Sequence, residues 1–335
     1  LGRAAARGNL DALAYLLELG VEPAPRPGQA MMTAAHEAAY FGKRDALEVL
    51  RLAGRSLTTP DERGVTPLAL AMENGHVELA RWILSRSAEA AAETYRAHSP
   101  LRLALRWCPD HVGSFAALLP DSAFTALVSQ RDGGKASPYD CAAAGEGPAL
   151  AQLLACDKDA RVHLHAGLDV ADGDPIPLDF AIHANRVANI TRLLPLTPDV
   201  YFAAEGLPTG LVSALENRHL EAVERIAQDP RGRACLQRHS ASVLAFAIAS
   251  GATELTRLLL RHLGSEARQE PREGACNVLH WAAESESLRM VELVLKHVGK
   301  SLGKRLAAAR DEEGLTPAQV PLAPGVRRRL KGLHT

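Results

Sequence analysis

The chain has 335 residues, is 47% hydrophobic but only 4% aromatic, and balances 38 basic against 39 acidic side chains. A formal net charge of −1 excludes a global field that would draw it to nucleic acid or to an anionic membrane. No apolar run reaches the roughly 18 residues of a membrane span. The basic side is lopsided, 31 Arg against 7 Lys, which reads as codon usage in a G+C-rich genome and hints at a bacterial source. Cys108, Cys141, Cys156, Cys235 and Cys276 lie far apart without a CxxC or Cys/His cluster, so neither a disulfide framework nor a zinc site is expected, and a reducing compartment fits.

Along the chain one unit recurs. Its clearest copy, Asp61 to Leu84, reads D-E-R-G-V-T-P-L-A-L-A-M-E-N-G-H-V-E-L-A-R-W-I-L. With Leu68 as anchor, equivalent positions fall at Leu1, Ala35, Leu101, Tyr139, Leu178, Leu211, Leu244, Leu279 and Ala318. Three residues after the anchor stand Ala4, Ala38, Ala71, Ala104, Ala142, Ala181, Ala214, Ala247 and Ala282. Such a register marks stacked supersecondary units rather than separate closed cores.

Each part of the unit has a physical task. Thr66-Pro67, Ser99-Pro100 and Ser137-Pro138 open a first helix, the hydroxyl capping free N–H groups and Pro taking the first helical position. Alanines let that helix approach its neighbours. Gly8, Gly42, Gly75 or Gly251 then stops it in a left-handed conformation. A second helix follows, as in Val77, Ala80, Ile83 and Leu84. Asn185, Arg218 and Glu286 replace the stop glycine in three copies, and Ile176 replaces the opening threonine in one.

T-P-L-x-x-A-x-x-x-G-H before an amphipathic helix resembles the ankyrin repeat. The resemblance implies an all-α solenoid of about nine to ten helix-turn-helix units, with short turns or β-hairpin-like loops between them. The whole of 1–335 then reads as one domain, closed by a degenerate capping unit at 314–335 whose Val326 to Leu330 would form a short polar helix. His36 and His280, one residue after their anchors, stand where the family's histidine braces neighbouring turns.

Two stretches, 108–137 and 156–177, hold extra residues. The first holds two apolar segments, Phe115 to Leu119 and Phe124 to Val128, split by Pro120-Asp121-Ser122, and is expected to contain a normal second helix plus a lengthened linker. The second carries Asp157-Lys158-Asp159 and His163-Leu164-His165, read as an exposed loop rather than a metal site, because a third ligand at fixed spacing is missing. Gly133-Gly134-Lys135-Ala136-Ser137 reads as a repeat turn rather than a phosphate loop. Cys141, Trp82 and Trp281 are expected in the core. No catalytic motif is present, so no enzyme, cofactor or metal is expected.

Mapping the family's concave face onto this chain marks the residues five and six after each anchor and those in the preceding turn. In copies two to four these are Tyr40 and Phe41, Glu62 and Arg63, Glu73 and Asn74, Tyr95, Arg96 and His98, and Arg106 and Trp107. Aromatics beside arginine are typical of interface hot spots. Trp107 has a competing core assignment, because Cys108-Pro109 replaces its stop glycine. The expected function is a monomeric, cytoplasmic scaffold that binds another protein, translocated into a host cell if it is a bacterial effector. The alternative is the substrate-positioning region of an enzyme whose catalytic domain lies upstream of Leu1.

Overall fold

The computed structural model describes residues 1–21, 32–86, 99–131, 136–170, 174–263, 275–320 and 323–333. Their regular elements are all helices. They group into two compact units, Leu1–Gly167 and Leu168–Thr335.

In the first unit the pairs are α1 (Gly2–Arg7) with α2 (Leu10–Glu18), α3 (Ala34–Tyr40) with α4 (Arg44–Leu52), and α5 (Pro67–Glu73) with α6 (Val77–Arg86). Next come α7 (Pro100–Trp107) with α8 (Val112–Ala116), then α9 (Asp121–Ser129), α10 (Pro138–Ala144) with α11 (Ala149–Cys156), and α12 (Ala160–His163). The first helices pack side by side in the order α1, α3, α5, α7, α10. Their contact is made through the alanines: Ala38, Ala71 and Ala104 are fully buried. Thr66 and Ser137 cap their helices as the sequence suggests, whereas the Ser99 hydroxyl makes no capping bond.

The second unit comprises α13 (Pro177–His183) with α14 (Val187–Leu193), α15 (Asp199–Ala203), α16 (Thr209–Glu216) with α17 (Leu220–Gln228), and α18 (Pro230–Arg238). It continues with α19 (Ser240–Ala249) and α20 (Thr253–His262), α21 (Val278–Glu284) and α22 (Leu288–Val298), α23 (Lys300–Ala308), and α24 (Pro324–Lys331). The second helices α14, α17, α20 and α22 pack in that order. In α24, Val326 and Leu330 turn inward while its arginines stay exposed.

The connections are richer than turns. Hairpin-like loops occur at Asp61–Val65 and Asp311–Leu315, each closed by an N–H···O bond of 2.8 and 3.0 Å respectively. Elsewhere a third helix fills the space between copies: α9, α15, α18 and α23. The stretch expected to hold one second helix and a lengthened linker thus carries two helices, α8 and the nine-residue α9, the latter with Phe124, Leu127 and Val128 in the core. Asp229 shows how such a helix starts, its carboxylate accepting from the N–H groups of Arg231 and Gly232.

The stop position keeps its left-handed backbone even without glycine. Asn185, Arg218 and Glu286 have φ of 54°, 56° and 51°. A Cβ in that region costs roughly 1–2 kcal/mol, so the packing of the following helix holds these residues there. Glu286→Gly is therefore expected to stabilise the protein by about 1 kcal/mol, read as a higher urea midpoint with an unchanged slope. A lower midpoint would show that Glu286 makes compensating interactions.

Candidate partner-binding surface

The ends of the first helices place the expected site residues. Five and six positions after the anchor each first helix is ending, and in copies two to four the side chains there are exposed. Tyr40 and Phe41 are 44% and 49% exposed, with ring centroids 4.9 Å apart in an edge-on arrangement. Gly42 follows at φ 69°, and a Cβ there would lie 2.8 Å from Cε1 of His76. That close approach lets His76 Nε2 reach the Tyr40 carbonyl at 3.0 Å, so the next copy fixes the turn that carries both rings.

Glu73 and Asn74 close α5, exposed, with Asn74 Nδ2 donating to the Leu70 carbonyl at 2.8 Å. Glu62 and Arg63 lie exposed on the tip of the hairpin-like loop that precedes α5. Asp61 organises that loop: its Oδ1 accepts from the N–H groups of Arg63 and Val65, both at 2.9 Å. Burial pushes the Asp61 carboxyl up, but these backbone donors and the Arg63 guanidinium outweigh it and hold the group below the usual carboxylate range.

Arg106 and Trp107 end α7. The guanidinium carbon sits 4.8 Å from the Trp107 ring centroid, and the indole is 38% exposed. Cys108 takes the inward place, its Sγ 3.7 Å from the Met72 carbonyl, which turns Trp107 outward and away from the core assignment. Tyr95, Arg96 and His98 lie outside the described residues.

His36 braces the surface from beneath. Its Nδ1 accepts from the Thr33 N–H at 3.1 Å, so Nε2 carries the proton and donates to the Val65 carbonyl at 2.8 Å. Burial lowers its pKa below the ordinary 6.5, only partly opposed by the Val65 bond and the charges of Asp61 and Glu37. A lowered folded pKa means the unfolded chain binds the proton more readily. The stability from neutral His36 is present above pH ~6.5 and is lost as pH falls through its lower folded value. The urea midpoint of the wild type should therefore fall more between pH 7.5 and 5 than that of His36→Gln; parallel losses would assign the acid sensitivity elsewhere.

Several expected positions move. Cys141 is exposed rather than buried. Two residues after its anchor, it lies about 200° round α10 from buried Tyr139. Trp281 occupies the same register and is half-buried, whereas Trp82 is in the core at 8% exposure. Phe180 (half-buried) and Phe246 (41% exposed) share that register. Sequence reasoning overlooked this aromatic row of the second unit; the signal was three aromatics two residues after Leu178, Leu244 and Leu279.

The histidines of the enlarged fifth copy have protein partners. His163 Nδ1 lies 2.9 Å from both Asp157 oxygens, and His165 Nδ1 lies 3.1 Å from the Arg161 carbonyl. Asp157 also accepts from the buried Tyr139 hydroxyl at 2.6 Å. Among the described residues no group of three metal-ligating side chains converges, and no helix is long and apolar enough to cross a membrane.

Known proteins share the repeat. The family described as ankyrin repeats (3 copies) matches residues 1–94. Cyclin-dependent kinase 4 inhibitor B of Bos taurus is 33% identical over 115 residues, covering 25% of this chain and 88% of the relative. Its Mus musculus counterpart is 32% identical over the same shares. The solved human ASB11 ankyrin repeat domain aligns with 100% of this chain and 97% of its own, at 16% identity and a TM-score of 0.28.

Proposed function

The chain belongs to the ankyrin-repeat family, and we propose that it is a protein-interaction scaffold whose first unit captures a folded protein partner. The observation that carries this is the row Tyr40, Phe41, Glu73, Asn74, Arg106 and Trp107. These side chains repeat at one register and are exposed, and their turns are fixed by internal hydrogen bonds. Aromatic and arginine side chains held in place before binding lose little entropy on contact, which is why such residues dominate interface energies. Arg63 extends the proposed surface; Tyr95, Arg96 and His98 are assigned to it by their sequence register alone. The named relatives are inhibitors of a protein kinase, which supports a folded protein rather than a small molecule as the partner.

In this reading the chain 1–335 works as one monomeric binding domain in a reducing cytoplasm, where its five free thiols persist. The Arg-over-Lys bias supports a bacterial effector acting on host proteins.

The test is Tyr40→Ser, Phe41→Ser and Trp107→Ser combined, beside Phe246→Ser as a control in the second unit. Interface hot spots cost about 2 kcal/mol or more apiece, so the triple variant should retain less than about one hundredth of the wild-type affinity for a protein recovered by affinity capture. Its helical circular dichroism and melting should be unchanged. Equal capture by the triple variant would remove this surface from consideration, and loss of helicity would place the aromatics in the fold instead.

A further inference from the structure

Beside the irregular fourth copy, the first unit has a cleft of about 580 Å³ lined by Arg44, His76, Glu78, Arg81, Trp82 and Leu118. None of the described residues of the proposed partner surface lines it. The cleft follows from a shortened element. The second helices α4 and α6 have 9 and 10 residues, but α8 has only 5, preceded by a 3-10 turn at Pro109–His111. The short helix offers no full ridge to cover the outer face of α6.

Donors in this cleft outnumber acceptors. The Arg44 guanidinium lies 5.9 Å over the Trp82 ring and makes no ion pair among the described residues. Arg81 donates through Nη1 to Glu78 Oε1 at 3.1 Å, but its Nε is shielded from water and has no acceptor. A shielded guanidinium N–H without an acceptor is costly, and a rotation of this half-exposed side chain would present its Nε edge to the cleft. The first turn of the ten-residue helix α6 also runs along the cleft, adding the positive end of its dipole. Among the described lining residues Glu78 alone is acidic, its side chain 83% exposed at the rim, and Glu48, which also attracts Arg44, stands outside the lining. His76 is already engaged with the Tyr40 carbonyl.

We propose that this cleft binds a phosphate monoester, with Arg44 and Arg81 holding the oxygens and the carrier packing against Trp82 and Leu118. Guanidinium forks match the oxygens of a phosphate in pairs, and the volume is that of an ordinary small-ligand site. The carrier is either a small organic molecule or a phosphorylated side chain of a protein, the recognised group being the same.

The experiment uses the full chain with Trp107→Phe and Trp281→Phe, so that Trp82 fluorescence reports alone. Phenyl phosphate should give a saturable change, and inorganic phosphate a weaker one because it lacks a carrier to pack. Arg44→Gln and Arg81→Gln should each weaken phenyl phosphate at least tenfold, whereas Lys304→Gln, in the second unit, should leave it unchanged. A phosphotyrosine peptide binding tighter than phenyl phosphate would identify a phosphoprotein source; equal affinity would identify a small phosphate. A response that does not saturate, or unchanged affinity in Arg44→Gln, would overturn the proposal. Because Arg44 is exposed, that variant should fold even if Arg81→Gln does not.

Discussion

Asp179→Ala is expected to destabilise the second unit by about 3–5 kcal/mol, the cost of removing a buried hydrogen-bonding charge and orphaning its partners. Asp179 is 6% exposed. It accepts from the Ile176 N–H at 2.9 Å, the Tyr201 hydroxyl at 2.6 Å and the Gly210 N–H at 2.6 Å. One side chain thereby closes the start of α13, anchors the linker helix α15 and fastens the start of α16. Tyr201 remains a donor, because burial and the Asp179 charge hold its hydroxyl pKa well above the ordinary value. Alanine leaves three donors facing apolar surroundings. Tyr201→Phe removes one donor and keeps the other two bonds, so its loss should be near 1 kcal/mol. Urea unfolding followed by circular dichroism separates the cases, and equal losses in the two variants would mean that the backbone bonds to Asp179 contribute little.

Ala71→Phe is the second severe change, expected to cost about 3 kcal/mol, the upper end for overpacking a close-packed interior. Ala71 is fully buried, as are Ala38 and Ala104 at the same register of the neighbouring copies. Those methyl groups set the spacing of α3, α5 and α7, so a ring at the middle position has to push two helices apart. Ala71→Gly should be milder, about 1 kcal/mol, since it only adds backbone freedom and leaves the spacing intact. The thermal midpoint is the measurement. A phenylalanine variant melting within a degree or two of wild type would show that the first helices are not held by close contact at this position.

The repeat register was legible because the alanines and stop glycines answer purely local demands: close approach and a left-handed turn. The same logic located Asn185, Arg218 and Glu286, which adopt the glycine conformation without being glycine. The linker helices were less legible. α9, α15, α18 and α23 are short, and their stability comes from burying residues such as Phe124, Tyr201, Phe202, Cys235 and Leu302 against neighbouring copies. Periodicity within nine residues or fewer does not separate such a helix from a loop. At the surface, Tyr40, Phe41 and Arg106 are exposed at the ends of their helices. The side of the helix on which Cys141 and Trp281 fall was missed, because two residues after the anchor is a boundary position. It is buried at Leu70 and Leu103 but exposed at Cys141. The cleft lined by Arg44, Arg81 and Trp82 was invisible in the sequence, since it lies beside the short helix α8 and carries no motif.

The position one residue after the anchor has a consequence for building with these repeats. His36 and His280 offer an N–H to a carbonyl of the following copy, Val65 and Leu315 respectively. Asp179 offers an oxygen to a hydroxyl and an N–H of the segment that follows it. The two solutions are plug and socket of opposite gender. A module ending in one cannot be joined to a successor shaped for the other without setting donor against donor or acceptor against acceptor. The order of copies in this chain is therefore written into its junctions, and a shuffled or averaged version would have to exchange each junction as a pair.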